Sequence, residues 1–493
     1  SFSSDDPGFW LRMKSCVLFF FFLASLISSN TAPPPPGIKL QITGNAKDLG
    51  LMYLKGLVNK EFPIDKKYMK MKIVKLIELQ VDPAKVGFSF QENIGLQIEI
   101  KDMAFSLEIQ QEAKIPVIHI NMTTLTGEGV TATITVRMNQ NTQGHLNVYI
   151  PQDNCIINTD TSRTTSTGFK WFWEGDLLRR FYQYLFNNKF CPALQPKINY
   201  MLRDLPMMKT VHENRQLDLD YSLSSDIAVK SRSIDISFKG LISVHGQAVD
   251  TDSITAGKEP VFTETNKMIY VGISEFFFNG AAMAIYNSGP FEVNVPKLEG
   301  LKNLVQKTLK IEPGLWTVEL TKAPIIKIIK TGLSELSGLS ATVNFKAQHK
   351  DQQTYFPMIC KVNMDVEFKE RLLIVNIQKL KFEDEARSIN GNVLVRRQCS
   401  NRFTPISLYQ QIFIMIIIII IIIIIITCVS LFVQAFLVKV FHKRITKWLV
   451  KEIPIPLPAE LSIIDAKTQF EEGYLVVGGS LTFNPQSSSN AGG

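Results

Sequence analysis

The residues with the clearest chemical potential are lysines near the start of the chain. The segment KGLVNKEFPIDKKYMKMKIVK, Lys55 to Lys75, contains seven lysines against two acidic residues, Glu61 and Asp65. Ammonium groups gathered in this way attract phosphates, and each contributes about 1 kcal/mol at an anionic surface at physiological salt. Lysines also protect the solvated edge of a β-sheet from aggregation. The lysines alone therefore leave two interpretations open, an anion-binding surface and a protected strand edge.

No other group of residues has the spacing of a catalytic or metal-binding site. The GISEF segment that begins at Gly272 lacks the second glycine of a nucleophile elbow, and the chain contains no HExxH, P-loop or GxGxxG motif. The six histidines are scattered without ligand spacing: His119, His145, His212, His245, His349 and His442. We therefore expect no enzyme activity, no metal and no cofactor.

The composition is that of a globular protein with an excess of basic residues. The 493 residues are 45% apolar, and the formal net charge is +8, which is enough apolar material for two or three domains. From Gly37 to Val211 the chain has 21 basic and 16 acidic residues, a net +5. Anionic partners are compatible with this charge, but the charge alone names no ligand.

The first thirty residues have the pattern of a secretory signal. Met13 to Thr31 begins with Lys14 and continues with a short apolar run, so we expect a signal peptide at residues 13–31, with a signal anchor as the rival interpretation. Residues 1–12 would then be upstream sequence outside the mature protein. Secretion would permit disulfides and a glycan at Asn121, in Asn-Met-Thr. Six cysteines over this length are too few for a disulfide scaffold.

Strands dominate the predicted secondary structure, and helices follow them. GLQIEIK, VTATITVRM and HLNVYI alternate apolar and polar residues between Val86 and Asn158, which predicts half-buried strands of an antiparallel, twisted sheet or barrel. Helical periodicity appears at Asp48 to Lys60, and again from Gly175, where Leu177, Phe181 and Leu185 share one stripe.

The same order recurs after a polar stretch at residues 245–260, which is typical of a linker. Alternating segments such as ATVNFKAQ and MICKVNMDVEF follow, and a helix-like stretch runs from Phe436 to Lys451. Two halves of similar size indicate an architectural duplication.

An isoleucine run interrupts the second half. Ile412 to Val438 is long enough to cross a bilayer, and eleven of its isoleucines are consecutive, Ile416 to Ile426. A crossing would place the predicted closing strands on the other side of the membrane from the strands before it, at a large cost to a marginally stable domain. We interpret residues 394–430 as an atypical insertion or translated intron. A membrane span and a buried apolar helix remain the alternatives.

One segment resembles a known family. NKMIYVGISEFFFNGAAMAIYNSG, Asn266 to Gly289, is similar to the opening of the C-terminal half in the family of bactericidal/permeability-increasing protein and lipopolysaccharide-binding protein. The start PGIKLQIT at Pro36 and the closing segment from Lys451 also resemble that family. The matching positions of the first segment are Met268, Tyr270, Gly272, Ser274, Glu275, Phe276, Phe277, Phe278 and Asn279.

The resemblance implies an α+β fold. The expected architecture is a boomerang of two barrels, each a twisted antiparallel sheet wrapped around a long helix, joined by a central sheet. Residues 36–244 would form the N-terminal lipid-binding barrel and residues 261–484 the C-terminal one, with a flexible tail at 485–493. An apolar pocket in each barrel would take acyl chains.

The resemblance also implies site residues and partners. Cys155 and Cys191 match the family's single bridge, and a set of lysines becomes the candidate site for the phosphates of lipopolysaccharide: Lys66, Lys67, Lys70 and Lys72. The expected partners are phospholipid or lipopolysaccharide and the bacterial outer-membrane surface, and not nucleic acid.

These observations lead to one main functional hypothesis. We expect a secreted, extracellular lipid-binding protein that recognises lipopolysaccharide or related amphiphiles in innate defence. A carrier of neutral lipids or small hydrophobic molecules is the alternative, and a receptor anchored through residues 412–438 is a further one.

Overall fold

The computed structural model describes about three fifths of the chain. The described residues are 34–47, 58–59, 61–63, 71–111, 122–158, 163–167, 176–191, 207–295, 297, 299, 312–330, 338–349, 355–384, 452–458 and 461–483. The predicted signal peptide, the isoleucine run and the predicted helices at Asp48 to Lys60 and Phe436 to Lys451 lie wholly or almost wholly outside these residues. Val58 and Asn59 lie in a turn, so a helix through Lys60 is wrong at its end.

Strands of the first half form an antiparallel sheet, as the alternating pattern predicts. Within the described residues it has eight strands, in the order β2-β3-β5-β6-β7, with β4 on β5 and β8 and β9 on β6. The strands are β2 (Glu61–Pro63), β3 (Met71–Gln80), β4 (Val86–Gln91), β5 (Gly95–Gln111), β6 (Met122–Gln140), β7 (Leu146–Tyr149), β8 (Cys155–Asn158) and β9 (Arg163–Thr167).

A helix covers this first sheet. Helix α1 (Asp176–Leu185) lies where the periodicity predicts it and continues as a π-helical turn, Phe186–Phe190. Phe181 and Leu185 are fully buried, and the ring of Phe186 packs edge-to-face on Phe105 of β5 with centroids 5.2 Å apart. The apolar stripe of α1 is therefore the face that contacts the sheet.

A central sheet contains strands from both halves of the sequence. Its order in the described residues is β12-β13-β1-β15-β24-β23, all antiparallel. The strands are β1 (Ile38–Thr43), β12 (Ala228–Val229), β13 (Ser233–Phe238), β15 (Ile269–Ser274), β23 (Leu461–Glu471) and β24 (Tyr474–Phe483). The closing strands therefore pair with the rest of the protein, on β15.

A small sheet lies beside the central one. It consists, in the part of the chain described, of β10 (Met208–His212), β11 (Leu217–Asp220) and β14 (Leu241–Val244), in that order. The segment after β14, predicted as a linker, contains a 3-10 turn at Thr251–Ser253 and the buried Ile254. The linker boundaries stay a prediction.

The second half forms a further antiparallel sheet with a helix beside it. Its described strands run in the order β16-β17-β19-β20-β21-β22, with β18 on β19. They are β16 (Phe291–Val295), β17 (Gly314–Leu320), β18 (Ile325–Ile329), β19 (Gly338–His349), β20 (Tyr355–Lys369), β21 (Leu372–Asp384) and β22 (Glu452–Pro454), and the helix is α2 (Glu275–Asn287). We call this the C-terminal sheet.

The architecture confirms a sheet-rich fold with few helices. No helix in the described ranges is both long enough and apolar enough to span a membrane. The arrangement of two barrels stays a prediction, and so do the domain boundaries.

Candidate functional site

The candidate site is built on α2, and the residues before the helix fix where it begins. Ser274 ends β15, is completely buried, and donates its hydroxyl hydrogen to the carbonyl oxygen of Pro36 at 2.8 Å. Gly272 lies against Pro260, where an added Cβ would come within 2.3 Å of the proline Cβ. Gly272 thus lets the backbone pass close to Pro260, and Ser274, two residues later, bonds to Pro36 at the point where the helix begins.

Two polar residues of α2 hold the helix against β18. Asn279 is buried, and its side chain accepts a hydrogen bond from the Ile326 N–H at 2.8 Å and donates to the Ile326 carbonyl oxygen at 3.2 Å. Its amide also donates to the carbonyl oxygen of Thr255 at 3.2 Å. Glu275, at the first turn, accepts from the Ile328 N–H at 2.7 Å. These bonds satisfy backbone groups of an edge strand that would otherwise be buried without partners.

Between α2 and the C-terminal sheet lies an apolar pocket. Its empty space, including the part open to solvent, is about 1040 Å³. Its wall consists of apolar residues from the helix, seven strands and one turn: Phe277, Phe278, Ala281, Ala282, Ile285, Phe291, Val318, Leu320, Pro324, Ile326, Ala341, Val343, Phe345, Cys360, Val362, Met364, Val375 and Ile453.

The alternation of the strands explains why the wall is apolar. Ala341, Val343 and Phe345 on β19 point to the same face, and β20 places Cys360 and Val362 in register with them. These are the inward positions of ATVNFKAQ and MICKVNMDVEF. Pocket residues were not singled out from the sequence, although this period of two was the signal that could have found them.

The thiol of Cys360 is the one pocket group in the described residues that could titrate. Its burial among apolar side chains raises the pKa to about 12. A thiol is a poor nucleophile when so little of it is ionised at neutral pH. The pocket can therefore bind apolar molecules, and its wall offers no activated group for reaction with them.

One cationic side chain lies near the pocket wall. The guanidinium of Arg215 lies 5.7 Å from the ring centroid of Phe291 and donates to the hydroxyl oxygen of Ser288 at the end of α2. Partial burial lowers its pKa from the ordinary value. Its position at the helix C-terminus is favourable because the backbone carbonyls there carry partial negative charge.

The disulfide implied by the resemblance is present. Cys155 of β8 and Cys191, just after the π-helical turn, are bonded, with their Cα atoms 6.1 Å apart. Both are buried. The bridge therefore ties the end of the α1 segment to the first sheet.

The predicted anion-binding lysines and the glycan site are not tested by the structure. Lys66, Lys67, Lys70 and Asn121 lie outside the described residues. Lys72 lies on β3, in an irregular step of its register with β5, and its side chain is not described. Among the described residues no three His, Cys, Asp or Glu side chains come together as a metal site.

Two human proteins are similar to this chain in sequence. Phospholipid transfer protein of Homo sapiens is 24% identical over 242 residues, which are 46% of this chain and 46% of that protein. BPI fold-containing family C protein of Homo sapiens is 25% identical over 166 residues, 29% of this chain and 31% of that protein. The chain thus spans less than half the length of either relative.

The fold is also that of a solved structure. A crystal structure of lipopolysaccharide binding protein superposes with a TM-score of 0.52 at 15% identity, covering 91% of this chain and 99% of the other. The family model described as the C-terminal domain of the LBP / BPI / CETP family matches residues 211–483, more than half of the chain. The chain therefore belongs to the LBP / BPI / CETP family.

Proposed function

We propose that this chain is a secreted lipid-binding protein that holds acyl chains in the pocket beside α2. The pocket itself is the observation that carries the proposal. Each buried methylene stabilises the complex by about 0.8 kcal/mol, so an acyl chain that buried ten of them would gain about 8 kcal/mol. Binding of this kind requires no chemical reaction, and we propose no enzyme activity.

For the head group, we propose lipopolysaccharide or a related phospholipid, recognised in innate defence. The support is the net +5 of Gly37 to Val211 and the candidate lysines Lys66, Lys67, Lys70 and Lys72. The names of the similar proteins point to phospholipid and lipopolysaccharide. Secretion is supported by the signal pattern from Met13 to Thr31.

A carrier of neutral lipids is the alternative. The wall of the pocket, as far as it is described, contains no charged side chain, so the pocket itself selects for the tail and not for the head group. A receptor anchored through residues 412–438 is a third proposal, and detection in cell membranes instead of medium would support it.

The main experiment is mass spectrometry of lipids extracted from the purified secreted protein, together with uptake of a fluorescent acyl lipid from detergent solution. Ala341→Phe places a ring inside the pocket and should abolish uptake. Thr342→Phe, the next residue on β19, places the same ring on the exposed face and should leave uptake unchanged. Equal uptake by both variants would refute the pocket as the lipid site.

A second experiment separates the two head-group proposals. Changing Lys66, Lys67, Lys70 and Lys72 to Ala should weaken lipid A binding and remove its sensitivity to salt. A neutral-lipid carrier would bind lipid A no better than the variant does, and would yield neutral lipids on extraction.

A further inference from the structure

The outer face of the C-terminal sheet concentrates lysines on neighbouring strands. One cross-strand row places Ile325, Thr342, Lys361 and Lys381 side by side, and the next row places Lys327, Ser340, Asn363 and Lys379 side by side. All four lysines are exposed. We call these eight residues the basic outer face. These eight residues include no acidic one, and the flanking rows contain Glu383 on β21 and Asp365 on β20.

The same strands present the pocket on their other side. Ile326, Ala341, Cys360 and Val362 alternate with residues of the basic outer face and line the pocket. Since successive side chains of a strand point to opposite faces, one layer of sheet separates the basic outer face from the pocket.

Aliphatic side chains accompany the lysines. Ile325 is 47% exposed and Ile329, two residues beyond Lys327 on the same side of β18, is 37% exposed. Isolated exposed isoleucines are ordinary, but here they flank a lysine on a strand whose neighbours across the sheet are Thr342 and Ser340. Basic and aliphatic groups on one surface are the combination that binds the interface of an anionic bilayer.

Addition of a strand from a protein partner is disfavoured at β18. The N–H groups that face away from β19 belong to Ile326 and Ile328, and they already donate to Asn279 and Glu275. The carbonyl oxygen of Ile328 accepts from the Gly473 N–H at 3.1 Å. Because this edge is occupied, lysine is not needed here to prevent edge-to-edge aggregation, and the outer face is what remains available for contact.

We propose that the basic outer face docks the protein on bilayers rich in anionic phospholipid, with the lysines at the phosphates and Ile325 and Ile329 in the interface. Docking there brings the lipid source within one sheet of the pocket. That consequence rests on the proposed function, whereas the docking itself does not.

The test measures binding of the full chain to vesicles of phosphatidylcholine, with and without phosphatidylglycerol. Lys327→Gln with Lys379→Gln should weaken binding to the anionic vesicles by about 25-fold, since each lysine near such a surface contributes about fivefold. Raising the salt should shrink this difference. Ile325→Ser should weaken binding by about fivefold, and salt should leave that loss in place.

Matched controls lie on other sheets. Lys209 and Lys467 are exposed, and changing both to Gln removes the same charge outside the basic outer face. Ile464 is 45% exposed, so Ile464→Ser matches Ile325→Ser. Neither control should change vesicle binding by more than about twofold. Equal losses in control and test variants, or equal binding to both kinds of vesicle, would overturn the proposal.

Two further measurements distinguish bilayer docking from polyanion binding and from lipid binding in the pocket. The first measures binding to heparin beads. If the chain bound heparin as strongly as it binds anionic vesicles, and Ile325→Ser did not weaken that binding, the face would recognise polyanions and not bilayers. That result would also overturn the proposal. Acyl-lipid uptake from detergent solution tests the pocket alone. A chain that takes up the lipid but does not dock refutes the docking face only, and one that docks without uptake refutes the pocket only.

Discussion

The two helix and sheet pairs of this molecule are held together in different ways. Helix α1 fills the space above the first sheet with Phe181 and Leu185, and the bond between Cys155 and Cys191 ties its end to β8. Helix α2 also has polar attachments in its first half, and it lines the apolar pocket that lies between it and the C-terminal sheet.

The difference indicates how a fold can keep a hollow. Close packing is the usual way in which a helix is held to a sheet, and it leaves little empty space. Phe277 and Phe278 of α2 are buried in the core, but Asn279 and Glu275 also bond α2 to the backbone of β18, so that the helix position does not depend on close packing alone. Hydrogen bonds to buried backbone groups can do this because their loss would leave those groups unpaired.

Removal of the disulfide tests the first kind of attachment and should have the largest effect. In the chain-entropy account, a bridge across 36 residues contributes about 4 kcal/mol. Cys155→Ser with Cys191→Ser should therefore lower the free energy of unfolding by about that amount in urea titrations, with hydrogen exchange increasing first in α1 and β8.

The pocket should respond little to this change. Uptake of the acyl lipid by the double variant should stay near that of the parent below its unfolding transition. Ile464→Ser, at an exposed position of β23, is the control, because it leaves both the bridge and the pocket wall intact. Loss of uptake while α1 remains protected from exchange would show that the two regions are not independent.

Removal of the Asn279 side chain tests the second kind of attachment. Asn279→Ala leaves the N–H and carbonyl groups of Ile326 unpaired, which should cost about 3 kcal/mol. Uptake of acyl lipid should fall with stability, because α2 loses its fixed distance from β18. Asn287→Ala, at the exposed end of the same helix, should change neither quantity measurably. If Asn279→Ala matched Asn287→Ala, the polar attachment would not be what holds α2.

Helix α1 could be predicted from the sequence and helix α2 could not, for one physical reason. In DLLRRFYQYL the apolar residues recur on one stripe, with Phe181 and Leu185 buried and Arg180 exposed. In EFFFNGAAMAIYN they occur nearly all round, because α2 is buried between the C-terminal sheet on one side and β14 on the other. Without a wet face there is no period to detect, so the segment gave no sign of a helix.

The resemblance compensated for this in part. Gly272, Ser274, Glu275 and Asn279 were recognised as a pattern, and the structure shows their physical roles in a close approach and in hydrogen bonds between distant segments. Those roles depend on Pro36, Pro260 and Ile326, which are far away in the sequence. The strand alternation of the second half did predict the sheets, but not which inward faces enclose a hollow instead of a packed core.

The small sheet, whose strand β14 lies against α2, offers a smaller, pH-dependent test. The carboxylate of Asp218 on β11 accepts hydrogen bonds from the Thr210 hydroxyl at 2.7 Å and from His245 Nδ1 at 2.5 Å. The bond with His245 lowers the pKa of Asp218. Folding therefore favours the ionised carboxylate, and this stabilisation is present above the ordinary pKa near 3.8 and is lost as the pH falls through the lower folded value.

Asp218→Asn should therefore lower the free energy of unfolding by roughly 1 to 2 kcal/mol at pH 7, and the difference from the parent should vanish in acid. Urea titrations from pH 7 downward measure it. Asp226→Asn, an exposed position in the following loop, is the control and should show no such difference. A deficit that persisted below the folded pKa of Asp218 would mean that packing and not charge is responsible.

The smallest expected effect separates geometry from charge at the start of α2. Glu275→Gln keeps an oxygen that can accept from the Ile328 N–H and removes only the negative charge at the helix N-terminus, which should cost about 0.5 kcal/mol. Glu275→Ala removes the acceptor too and should cost about 1 kcal/mol more, with a measurable drop in acyl-lipid uptake that the glutamine variant does not share. If both variants lost uptake equally, the negative charge of Glu275 and not its hydrogen bond would hold the helix in place. The attachment of α2 would then have to be explained by electrostatic attraction instead of by hydrogen bonding.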